Sequence, residues 1–101
     1  MRRRWEFLRV QRRGKAKQSA NFLVVYLQQP APGSARFGFS VSRRVGNAVV
    51  RNRVKRRLRE FVRLHRRDLP PARDFVVIAK PGAAELSYAE LVAELREPFS
   101  L

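Results

Sequence analysis

Residues 43–67 hold eleven arginines or lysines against one acid, Glu60, and at their centre stands Arg51-Asn52-Arg53-Val54-Lys55-Arg56-Arg57. Over the whole chain arginine outnumbers lysine 19 to 4. The guanidinium fork suits bidentate phosphate contacts and stacking on bases, so the chemistry on offer is anion recognition. At 100° per residue, Arg51, Asn52, Lys55, Arg59, Arg63 and Arg66 fall within about 120° of one another, and Arg53, Arg56 and Arg67 lie on the next sector. Beside them Val50, Val54, Leu58, Phe61, Val62 and His65 form an apolar stripe about 120° wide. A charge run is usually a solvated helix face, but such faces mix signs to gain i,i+4 pairs. Here Arg51/Lys55, Lys55/Arg59 and Arg59/Arg63 repel, each by about 0.2–0.5 kcal/mol. A helix that disfavours itself in isolation points to a bound polyanion, and nucleic acid is the natural one.

No other constellation competes with this one. The chain has no cysteine and a single histidine, His65, which excludes thiolate metal sites, cysteine nucleophiles and His-pair zinc motifs. His65 continues the apolar stripe and reads as a packing residue. Glu85, Glu90, Glu94 and Glu97 read as cap and solvent-face residues of a last helix, and no carboxylate pair has a hydrolase or two-metal setting. There is no glycine-rich phosphate loop. Arg36-Phe37-Gly38-Phe39 superficially resembles an RNA-recognition-motif strand but lacks the glycine after the basic residue. Catalytic and metal-ligating residues are therefore expected to be absent.

The elements that must position these residues fit one domain over residues 1–101. The 101 residues are 45% apolar, enough for one modest core. The net charge is +15, and it is lopsided: residues 1–67 carry 20 basic and 2 acidic side chains, residues 68–101 carry 3 and 6. The first two-thirds of the chain thus builds the anion-binding surface. The longest apolar runs are far short of the ~20 residues a membrane helix needs, so no membrane partner is expected.

Residues 3–12 read as a short helix stopped by Gly14, with Trp5, Phe7 and Tyr26 more fitting as core than as stacking platforms. Residues 15–19 suit a loop or short edge strand. Phe22–Leu27 is a strand apolar on both faces, closed by Pro30-Ala31-Pro32-Gly33. Residues 36–42 alternate, with Phe37, Phe39 and Val41 on a core side and Arg36, Gly38, Ser40 and Ser42 on a small polar side. A hairpin with the preceding strand is the economical pairing, and the Ser40 face leaves room for a ligand backbone. Asn47 caps a helix running to about Arg67, and Asp74–Ala79 is another apolar strand. Ser87 and Glu90 form a capping box for the last helix, with Leu86 and Leu91 as its staple. The order gives an α+β two-layer sandwich with three helices.

The run from Phe39 through Arg51-Asn52-Arg53 to Glu60 resembles the signature of the bacterial ribonuclease P protein component, and the similarity extends over nearly the whole chain. The resemblance implies a four-stranded sheet with a left-handed crossover through the long helix. It implies a small basic cofactor of a catalytic RNA that removes the 5′ leader of precursor tRNA in the bacterial cytoplasm, with one protein per RNA. Magnesium would be held by the RNA and the substrate, with no site on the protein. Arg43, Arg44, Asn47, Arg51, Asn52, Arg53, Lys55, Arg56 and Arg59 match the RNA-contacting motif. Phe7, Leu23, Val25 and Ser40 match positions lining a leader cleft. Gln11 stands there where the family commonly has an aromatic, and Val25 where a tyrosine can occur. A structural RNA-binding protein or RNA chaperone shares the need for the cationic helix but would not rescue a catalytic RNA; an autonomous nuclease would cleave RNA unaided, which the missing catalytic constellation argues against.

Overall fold

The computed structural model describes residues 4–29, 33–99 and 101. In chain order these form α1 (Arg4–Arg13), β1 (Lys15–Gln18), β2 (Phe22–Gln28), β3 (Arg36–Ser40), α2 (Ala48–His65), β4 (Arg73–Ala79) and α3 (Tyr88–Leu95). Single 3-10 turns occupy Arg66–Asp68 and Pro81–Glu85. The expected α+β architecture with three helices and a four-stranded sheet is what the chain adopts. The expected turn at Pro30–Pro32 lies outside the described residues.

The strand order is β1-β2-β4-β3, with β3 and β4 parallel and the other pairs antiparallel. This corrects the hairpin expected between β2 and β3: β4 inserts between them, and α2 becomes the crossover from β3 to β4. The reason lies in which strands are apolar on both faces. Phe22, Val24 and Val25 of β2 and Phe75, Val76 and Val77 of β4 are buried, so these two take the centre of the sheet. The fully exposed β1, with its two lysines, and β3, with Arg36, Gly38 and Ser40, take the edges.

Alternation along the central strands sends their side chains to two cores. Phe22, Val24, Phe75 and Val77 pack with Val54, Leu58, Phe61 and Val62 of α2, with Leu91 and Leu95 of α3, and with Phe99. Phe99 knits this layer together, with ring centroids 5.0 Å from Phe75 and 5.4 Å from Phe61. His65 extends the stripe as expected, half-buried against Phe61 at 4.6 Å with its Nδ1 2.9 Å from the Phe61 carbonyl. On the opposite face Val25 and Val76 pack with Val10, joined by Phe7, Leu23, Leu27 and Ile78. α1 therefore covers the face of the sheet that α2 and α3 leave open.

Helix ends follow the sequence signals closely. Asn47 Oδ1 accepts from the Val50 amide at 3.0 Å, and the Ser87/Glu90 capping box is complete. α1 stops before Gly14, though not through a left-handed glycine, since no glycine among the described residues has positive φ. Space is what requires it: a β-carbon there would stand 2.5 Å from the Val10 carbonyl oxygen and 2.6 Å from that of Tyr26. Glu94 departs from its expected solvent-facing role. Its carboxylate accepts from both the backbone and side-chain amides of Asn21, fastening α3 to the start of β2.

Asp74 also does structural work, buried to 1% exposure at the head of β4. Arg36, its register partner on β3, donates Nε to Oδ1 at 2.9 Å and Nη2 to Oδ2 at 2.8 Å. Gln29 donates to Oδ1 at 3.0 Å, and Arg9 of α1 stands 3.9 Å away. Arg36 Nη1 also reaches Glu6 at 2.6 Å. This network ties α1 to both strands of the parallel pair.

Candidate nucleic-acid interface

Two surfaces present themselves. The first is the outer side of α2 with the segment 41–47 that feeds it. Arg43, Arg44 and Asn47 are exposed ahead of the helix, and Asn52, Arg56 and Arg59 are exposed along it. Among the described residues none of these arginines has a carboxylate partner. Arg51 and Lys55 are half-buried where the ridge meets the apolar stripe, and the Arg51 Nε is buried without a hydrogen-bond partner among the described residues. Asn47 is exposed and spends its side-chain oxygen on the helix cap.

Arg53 is placed differently from its neighbours. It stands on the far flank of the stripe, half-buried, and donates Nη2 to the Ala84 carbonyl at 3.0 Å. Arg57, which the motif did not single out, donates to the Leu86 carbonyl. Both arginines hold the turn after β4 against α2, so Arg53 has a structural role in the free protein. The helical angle carried that signal, because Arg53 and Arg57 sit opposite Arg59 across the stripe. Arg63 is occupied by Glu60, whose carboxyl is held below its ordinary range by the hydrogen bond from that guanidinium.

The second surface is a shallow cleft of about 460 Å3 lined by Arg4, Phe7, Leu8, Gln11 and Ser40. Three of the expected cleft residues, Phe7, Gln11 and Ser40, meet there. Gly38 beneath is what lets the Phe7 ring down onto β3. Leu23 is half-buried next to the same apolar cluster. Val25 does not line the cleft: it is 4% exposed under α1, packed with Val10 and Val76, so it supports the wall instead of touching a ligand. Arg4 and Leu8 were missed, although Arg4, Leu8 and Gln11 recur at i, i+4 and i+7 on one side of α1. Trp5 overturns the core expectation, at 57% exposure. With Phe7 and Val10 facing the sheet, 100° per residue puts Trp5 on the other side of α1.

Among the described residues no group of three or more His, Cys, Asp or Glu could hold a metal ion. Asp74 and Glu6 are bound to Arg36, Glu94 to Asn21, Glu60 to Arg63, and Glu90 to the Ser87 cap. No helix among the described residues is long and apolar enough to cross a membrane.

The family model for ribonuclease P matches residues 1–100. The chain belongs to the ribonuclease P protein family. The ribonuclease P protein component of Desulfovibrio desulfuricans is 53% identical over 98 residues, covering 94% of this chain and 75% of the relative. That of Exiguobacterium sibiricum is 43% identical, covering 93% and 81%. Among solved structures, the RNase P protein of Staphylococcus aureus superposes with a TM-score of 0.90 at 28% identity, over 99% of this chain and 91% of that one. The RNase P protein of Thermotoga maritima gives 0.89 at 28% identity, over 98% and 93%. Membership makes this chain a protein component of a tRNA-processing endoribonuclease, in a family whose RNA subunit carries the catalysis. The RNA-binding role read from the cationic helix agrees with that membership.

Proposed function

We propose that the protein binds the catalytic RNA of ribonuclease P through the outer side of α2 and segment 41–47, and holds the 5′ leader of precursor tRNA in the cleft between α1 and the sheet. The observation that carries this reading is the row of exposed cations, Arg43, Arg44, Arg56 and Arg59, none with a carboxylate partner among the described residues. Such a row has no stabilising role in the free protein and suits a phosphate backbone. The cleft adjoins it, because Ser40 on the cleft wall precedes Arg43 by three positions. Leader and catalytic RNA would then be gripped side by side.

On this reading Arg51, Lys55 and the exposed arginines neutralise phosphates of the RNA and Asn52 hydrogen-bonds to it, with Arg53 reaching it only from its packed position. Phe7, Gln11 and Ser40 contact the leader. The magnesium ions belong to the RNA and substrate, and the protein lowers the magnesium demand by supplying fixed positive charge. One protein serves one RNA, in the cytoplasm of a bacterium.

The test is precursor-tRNA cleavage at low magnesium by the protein alone, a bacterial ribonuclease P RNA alone, and both together. Cleavage only with both, or much faster with both, is the expected result. Activity from the protein alone would make it an autonomous nuclease, and tight RNA binding with no rescue would make it a structural RNA binder or chaperone.

A further inference from the structure

Trp5, the chain's one tryptophan, is 57% exposed and belongs to neither apolar cluster formed by the described residues. Val49 and Leu64 are the other large apolar side chains comparably exposed among the described residues, and neither offers a ring. Trp5, Leu8, Arg9, Arg12 and Arg13 line a groove of about 380 Å3 on the outer side of α1. Arg12 and Arg13 are exposed and have no carboxylate partner among the described residues, while Arg9 leans toward Asp74. Glu6, the acid of α1, is engaged by Arg36 on the sheet side. Leu8 lines both this groove and the cleft of Phe7, Gln11 and Ser40, so the two depressions meet along the helix.

We propose that this groove is a second single-strand platform. A nucleotide of the leader lying beyond those in the cleft stacks on the Trp5 indole, and Arg12 and Arg13 take its phosphates. The inference rests on the leader reading of the cleft and extends it over α1. An exposed indole among arginines is a stacking surface indifferent to base identity, and the positive charge selects an anionic occupant over an apolar protein face. Arg12 and Arg13 also suit the negative end of α1, but that role gives no use to Trp5.

Because Trp5 is the chain's one tryptophan, its emission reports on this position alone. Titrating the full chain with a single-stranded oligoribonucleotide quenches that emission saturably, and a blunt RNA duplex does not. In the assembled ribonucleoprotein, Trp5→Ala weakens binding of a precursor tRNA with a long leader by about tenfold, the loss of one stacked base. It leaves binding of a short-leader precursor unchanged, and Trp5→Phe retains most of the affinity. Equal quenching by duplex, or equal affinity of wild type and Trp5→Ala for the long leader, overturns the platform. Gln11→Glu separates this from failure of the cleft itself. If Gln11→Glu weakens both precursors and Trp5→Ala neither, the platform alone falls; if neither variant weakens either precursor, the cleft reading falls with it.

Discussion

The Phe7 ring lies directly over Gly38, so close that a β-carbon on Gly38 would stand 2.5 Å from Phe7 Cζ and 2.7 Å from Cε1. One missing side chain on an edge strand therefore sets how near α1 can come to the sheet, and with it the width of the cleft. Gly38→Ala should displace the whole ring and lift α1, costing about 1–3 kcal/mol by overpacking. Urea unfolding measures the loss, and leader affinity should fall in the same variant. An alanine that leaves both unchanged would mean the ring swings aside freely and does not define the cleft.

The two flanks of α2 should separate binding from stability. Arg59 is exposed and has no carboxylate partner among the described residues, so Arg59→Ala should leave the melting temperature unchanged and weaken RNA binding uniformly across sequences. Arg53→Ala removes the bond to the Ala84 carbonyl and should cost about 1–2 kcal/mol of stability in addition to any loss of binding. Thermal unfolding beside filter binding distinguishes them, and equal melting temperatures for the two variants would contradict the structural placement of Arg53.

Salt should act strongly on the complex. With about six cations neutralising phosphates, the logarithm of the binding constant should fall against the logarithm of salt concentration with a slope of about −4 to −5. Arg59→Ala should make that slope shallower by about one. A wild-type slope near −1 would mean the ridge stays solvated in the complex.

Acid should loosen α1 through Asp74. Burial alone would push this carboxyl up, but the hydrogen bonds from Arg36 and Gln29 and the charges of Arg36 and Arg9 together hold it below its ordinary value of 3.8. A folded-state value lower than the unfolded one adds stability that is present in full above about pH 4. It drains away as pH falls through the folded value. Asp74→Ala should remove this acid-sensitive component. It should cost about 2–4 kcal/mol at neutral pH, less than for a fully buried pair because the Arg36 side chain is 46% exposed and can rehydrate. Unfolding followed as a function of pH in both proteins checks the sign, and parallel curves would refute it.

What the amino-acid order settled alone is what depends on neighbours three or four positions apart. The α2 stripe of Val54, Leu58, Phe61 and Val62, the Asn47 cap, the Ser87/Glu90 box and the cationic ridge are all local patterns, repeated at the period of one helix. So is the 22-residue signature around Arg51-Asn52-Arg53, which was sufficient to place the family. Tertiary structure alone decided what depends on meetings between distant segments. The insertion of β4 between β2 and β3 arose from competition among four strands for the buried centre, which no single strand reveals. Arg36 with Asp74, Asn21 with Glu94, and Arg53 with the Ala84 carbonyl are each long-range pairings that make fasteners of charged or polar residues. Val25 looked like a cleft residue and lies beneath one, and Trp5 looked like core and faces outward, because only the docking of α1 on the sheet determines which side of each is covered.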